Sequence, residues 1–91
     1  VIEHIYLDYN ATAPMRAEVI ALMGEIMGTV GNASSVHGPG RKARERVDTA
    51  RQQVAGLVAA PAKNVIFTGG GTEADNLALR GFQPRHLIVS G

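Results

Sequence analysis

Apolar and polar positions along the chain fall into alternating stretches of two periods. Residues 2–7 (IEHIYL) alternate loosely and predict a short strand, which Asp8-Tyr9-Asn10-Ala11-Thr12 breaks with turn-favouring side chains. Pro14 suits the first position of a helix, and Met15, Val19, Leu22, Met23 and Ile26 then share one face to about Met27. Gly28 to Ser35 reads as a loop. A second helix is expected from Gly38 or Pro39 to about Val58, with Ala43, Val47, Ala50, Val54, Leu57 and Val58 as its buried stripe and Pro61 as its stop. Val65-Ile66-Phe67 predicts a buried strand, Thr68-Gly69-Gly70-Gly71 a turn, and Thr72 to Arg80 a helix closed by Gly81; Leu87-Ile88-Val89 predicts another strand. Strand, helix, strand over 65–89 is a βαβ unit, so the expected class is α/β with a parallel sheet. Two parallel strands cannot make a stable open sheet, and the chain ends at Gly91 directly after the second, so an incomplete fold is expected.

Composition narrows the chemistry. With 45% apolar residues in 91, the chain is one domain at most and is too apolar for disorder. No run is long enough to span a membrane, and the start VIEHIYLDYN has no secretory pattern, which predicts a soluble, cytoplasmic protein with no membrane partner. The absence of Cys removes thiolate metal sites and thiol nucleophiles from these residues, and no metal site is expected. Nine Lys and Arg against eight Asp and Glu leave a net charge of +1. The cluster Arg41, Lys42, Arg44, Arg46, Arg51 has only Glu45 and Asp48 against it. Without interleaved aromatics it reads as a solvated helix face rather than a nucleic-acid patch, although an RNA-binding helix would declare itself by a steep salt dependence.

The most informative stretch is Thr68-Gly69-Gly70-Gly71-Thr72-Glu73. Glycines between strand and helix let backbone approach a ligand and take up positive φ, and a helix start offers unpaired N–H groups to an anion such as phosphate. The competing reading is a tight connection capped by Thr72. No Lys follows, so this is not a nucleoside-triphosphate loop. Gly69 to Ala74 fits G-x-G-x-x-A, yet 87–91 (LIVSG) lacks the acid a dinucleotide site needs; a non-catalytic dinucleotide-binding βαβ module therefore stands as the weaker alternative. Glu73 reads as complementing the helix dipole, Asp75 and Asn76 as helix surface, and His4 and His86 as structural.

Three motifs in order, Tyr6-Leu7-Asp8-Tyr9-Asn10-Ala11-Thr12-Ala13-Pro14, Gly31-Asn32-Ala33-Ser34-Ser35-Val36-His37 and Phe67 to Asn76, resemble the N-terminal part of cysteine desulfurases of the NifS/IscS type. These are class V aminotransferases among the fold-type I pyridoxal phosphate (PLP) enzymes. The resemblance implies a three-layer α/β/α large domain beginning with residues 15–91, incomplete here, and a small domain to which residues 1–14 belong. It implies that Gly71 and Thr72 bind the phosphate of PLP. It also implies that Asn10, Ala11 and Thr12 lie near substrate and cofactor, and that His37 lies at the active-site entrance. The family commonly reads Ser-Gly-Ala-Thr-Glu where this chain has Gly69-Gly70-Gly71-Thr72-Glu73, so a Ser hydroxyl contact is lost and the backbone donors are kept. From the residues alone, His37 reads equally as a capping or solvent-facing histidine, and Asn10 and Thr12 as an Asx turn leading into a helix.

The resemblance further implies removal of sulfur from L-cysteine to leave alanine and an enzyme persulfide, sulfur transfer to an acceptor or iron–sulfur scaffold protein, and a homodimer. No catalytic residue falls in this chain. Lys42 and Lys63 match no Schiff-base motif, there is no Cys, and the stacking His is expected just past Gly91, so these residues alone are expected to be inactive. A selenocysteine lyase or plain aminotransferase of the same class is the alternative enzyme.

Overall fold

The computed structural model describes residues 3–90. Among the described residues three α-helices carry the fold: α1 (Ala17–Met27), α2 (Gly38–Leu57) and α3 (Gly71–Phe82), with a 3-10 turn at Ala62–Asn64 between the last two. Compact packing divides the chain into two units, one up to Glu45 and one from Arg46, and the boundary falls within α2.

No strand forms among the described residues. The strands expected over 2–7, 65–67 and 87–89, and with them the βαβ unit and the α/β layering, are therefore corrected for this chain; Ile2 lies outside the described residues. The reason is non-local. A strand exists only when its N–H and C=O groups meet a ladder partner. Val65 has strand-like dihedrals (φ −89°, ψ 122°), but its carbonyl is taken by an Arg51 guanidinium instead. Ile88, without a neighbouring strand, is 96% exposed.

In the first unit, a turn at Asp8 precedes α1. The Asp8 carbonyl accepts the N–H groups of Ala11 (3.1 Å) and Thr12 (3.3 Å) and the Tyr6 hydroxyl (2.8 Å), and the Tyr6 and Tyr9 rings lie 5.7 Å apart. Helix α1 starts at Ala17, three residues after Pro14, because Arg16 is extended (φ −64°, ψ 143°) and supplies the carbonyl that accepts Val19 and Ile20 N–H. Its expected stripe is present as a pattern but not covered, since no residue of α1 is buried.

The loop after α1 is held by α2. Asn32 makes an Asx turn, its Oδ1 accepting Ser34 N–H at 2.9 Å while its carbonyl accepts Ser35 N–H at 2.9 Å. Arg44 donates to the Ala33 carbonyl (2.8 Å) and Arg41 to the Val36 carbonyl (2.6 Å). Two glycines allow this closeness: a Cβ on Gly31 would lie 2.6 Å from the Pro39 carbonyl oxygen, and one on Gly40 would lie 2.6 Å and 2.7 Å from those of Ser35 and Asn32. The basic residues expected to be a solvated face thus include two that bond the preceding loop.

In the second unit, α2 ends through a Schellman motif built on alanine. Ala60 N–H reaches the Ala55 carbonyl (3.0 Å), Ala59 N–H reaches that of Gly56 (3.4 Å), and Ala59 is left-handed (φ 51°). Ala55 is the one buried hydrophobic side chain among the described residues, at 3% exposure. Arg51 also places its guanidinium 5.1 Å from the centre of the Phe67 ring, bracing the segment that leads into α3. Helix α3 runs through Gly81, which was expected to end it, and closes instead at Gln83, left-handed (φ 44°, ψ 56°) with its N–H on the Leu79 carbonyl (3.2 Å). Pro84 follows, unable to continue the helix.

Candidate functional site

The glycine turn becomes a site through what its backbone leaves unused. Gly70 is the N-cap of α3 and is extended (φ 171°, ψ 179°). None of the described glycines lies in the left-handed region, so the conformation expected at this turn is not needed here. The Gly70 carbonyl accepts the Thr68 hydroxyl (3.0 Å) and Ala74 N–H (3.1 Å). Glu73 Oε2 accepts Gly69 N–H at 2.8 Å. Among the described residues, nothing accepts the N–H groups of Gly71, Thr72 or Glu73. These are the orphan donors at the positive end of the α3 dipole.

Space lies beside them. A Cβ added at Gly70 or Gly71 would meet nothing within 4 Å, so the chain's own packing does not require glycine at either position. An external group that must touch the backbone gives glycine a purpose there. The donor set of three consecutive N–H groups plus the exposed Thr72 hydroxyl, with no acceptor of its own to satisfy it, fits a tetrahedral anion such as the phosphate of PLP. Asn76 is turned away from this task, its side-chain amide donating to the Thr72 carbonyl at 2.8 Å.

The other candidate residues belong to the first unit, whereas Gly71 and Thr72 belong to the second. Asn10 and Ala11 occupy the Asp8 turn and Thr12 closes it with its N–H. His37 immediately precedes α2. Its Nδ1 accepts Gly40 N–H (3.2 Å) and its carbonyl accepts Arg41 N–H (3.0 Å), so its ring caps the helix. His37 Nε2 is left for another partner. No cluster of three or more metal-ligating side chains occurs among the described residues, and no helix there is long and apolar enough to cross a membrane.

Sequence reasoning missed Arg51, whose hydrogen bond and ring contact hold the segment before the turn. The i to i+14 spacing to Val65 carries no local signal. It also read Glu73 only as a dipole partner. The available cue was its place as third residue of a helix, where a carboxylate can reach back to the preceding N–H groups.

Comparison with known proteins gives the turn its context. The chain is 50% identical over 76 residues to an IscS-like cysteine desulfurase of Mycobacterium tuberculosis, covering 84% of this chain and 19% of that protein. It is 49% identical over 95 aligned positions to the putative cysteine desulfurase IscS 1 of Bacillus subtilis (97% and 25%). It is 47% identical over 77 to a selenocysteine lyase of Bos taurus (84% and 18%). The chain therefore spans about a fifth to a quarter of the length of these relatives. The resemblance read from the three motifs is upheld. The aminotransferase class-V model matches residues 5–90, three motifs and glycine turn included, and the chain belongs to that family.

Proposed function

We propose that the complete protein carrying this chain is a PLP-dependent cysteine desulfurase, and that these residues supply its phosphate-binding turn. The observation that carries the reading is the run of unaccepted N–H groups at Gly71, Thr72 and Glu73, open to the outside, in a chain of the aminotransferase class-V family. Bound there, PLP supplies an electron sink that labilises the Cα–H and Cβ–S bonds of L-cysteine. The chain's own part is to hold the phosphate oxygens on these N–H groups and the Thr72 hydroxyl, fixing the cofactor's position before any bond changes. His37, its Nδ1 committed to Gly40, can offer a substrate only Nε2–H as donor, with the tautomer fixed by the cap.

The reacting lysine and cysteine come from outside residues 1–91. In the complete protein the segments 65–67 and 87–89 join the parallel sheet of an α/β/α large domain, and residues 1–14 go with the small domain. L-Cysteine is the substrate, the products are alanine and a persulfide passed to an acceptor or iron–sulfur scaffold protein, and the enzyme is a cytoplasmic homodimer. A second reading, selenocysteine lyase, is favoured by the 47% identity to the bovine protein of that name.

The test is to supply the complete protein with PLP and, separately, L-cysteine and L-selenocysteine, and to measure alanine with sulfide or selenide. Alanine and sulfide from cysteine are expected, with none from residues 1–91 alone. Turnover of selenocysteine only would favour the second reading, and turnover of neither would sink both.

A further inference from the structure

The Glu73 carboxylate belongs to one of the three residues whose N–H groups are proposed to hold a phosphate, where like charge should be a liability. Its geometry gives it another purpose. In a capping box, the N-cap hydroxyl takes the N–H of the third helical residue while that residue's carboxylate takes the N-cap N–H, and both donors are used internally. Here the N-cap is Gly70, which has no side chain, and Glu73 reaches past it to Gly69 N–H at 2.8 Å. The carboxylate is anchored, yet the Glu73 N–H remains unaccepted.

A second pair of bonds fixes the peptide between Gly70 and Gly71. Its carbonyl is held by the Thr68 hydroxyl (3.0 Å) and by Ala74 N–H (3.1 Å). Because a trans peptide is planar, the Gly71 N–H points opposite to that carbonyl, away from the helix. Gly69 and Gly70, of the most freely rotating residue type, thus lie between the Thr68–Gly69 peptide, held by Glu73, and the Gly70–Gly71 peptide, held by Thr68 and Ala74.

We propose that Glu73 is a positioning residue: by clasping Gly69 N–H it holds the glycine turn in the one arrangement that leaves the N–H groups of Gly71, Thr72 and Glu73 to a phosphate. The inference rests on the phosphate reading given above. Its action is through a hydrogen bond, not through charge. Glu73→Gln keeps a side-chain acceptor and Glu73→Ala does not.

The experiment measures the affinity of the complete protein for PLP and for pyridoxal, which lacks the phosphate, by absorbance titration. The ratio of the two affinities isolates the phosphate contribution, and a general loss of stability would not move it. In Glu73→Ala the ratio should fall about tenfold, the worth of one lost hydrogen bond, and Glu73→Gln should restore it. An unchanged ratio in Glu73→Ala, or an equal fall in Glu73→Gln, overturns the inference. A wild-type protein with no preference for PLP overturns the phosphate reading itself. Amide exchange on wild-type apoprotein gives a readout independent of the variants. Gly69 N–H should be slow without ligand, whereas Gly71, Thr72 and Glu73 should slow only when inorganic phosphate is added. Gly69 exchanging as fast as those three without phosphate would refute the clasp.

Discussion

Gly40 offers the sharpest test of the loop that leads into α2. A methyl group at this position would lie 2.6 Å from the Ser35 carbonyl oxygen, 2.7 Å from that of Asn32 and 2.7 Å from Ser35 Cβ. Two of the three obstacles are backbone, so relief requires the loop itself to move, which would strain the Asn32 turn and the Arg44 bond to Ala33. Overpacking of this kind costs about 1–3 kcal/mol. Taking roughly 2 kcal/mol, the population with the loop open rises about thirtyfold. Trypsin reads that population when opening and closing outpace cleavage, because Arg41, Lys42 and Arg44 become substrates only on local unfolding. Gly40→Ala in the complete protein should therefore be cut after these residues about thirty times faster than wild type. Gly24→Ala is the matched control: it lies inside α1 with nothing within 4 Å of an added Cβ, and should stabilise by about 0.5–1 kcal/mol through helix propensity. Equal cleavage of Gly40→Ala and wild type would refute the steric account.

Two further substitutions probe the second unit. Ala59 holds a left-handed conformation at φ 51°, so Ala59→Gly should raise stability by about 1 kcal/mol, seen as a higher urea midpoint at unchanged slope. Arg51→Ala removes both the bond to the Val65 carbonyl and the contact with the Phe67 ring and should cost about 1–3 kcal/mol in the same assay. Arg51→Lys should recover less than half of that, since an ammonium cannot reproduce the planar contact.

Helices were legible because their signals are local. The stripes at 15–26 and 43–58 and the glycine-rich breaks between them placed all three helices to within a few residues. Where boundaries moved, a neighbouring conformation decided: extended Arg16 delayed α1, and left-handed Gln83 replaced Gly81 as the end of α3. The strands were not recoverable in the same way, because apolar runs such as Val65-Ile66-Phe67 record only a readiness to be buried, while pairing depends on residues elsewhere. The phosphate turn was readable as a donor array from glycine and helix start, but its fixing by Glu73 depended on a side-chain rotamer, and the roles of Arg41, Arg44 and Arg51 on carbonyls that no local pattern points to.

The clasp between Arg44 and the Ala33 carbonyl bridges a separation of only 11 residues, and that between Arg51 and Val65 one of 14. Contacts this short in sequence close on the order of 10–100 ns, far faster than a ribosome adds the next amino acid. The corner before α2 and the approach to the glycine turn can accordingly take shape as soon as they leave the exit tunnel, ahead of any partner strand still to be synthesised.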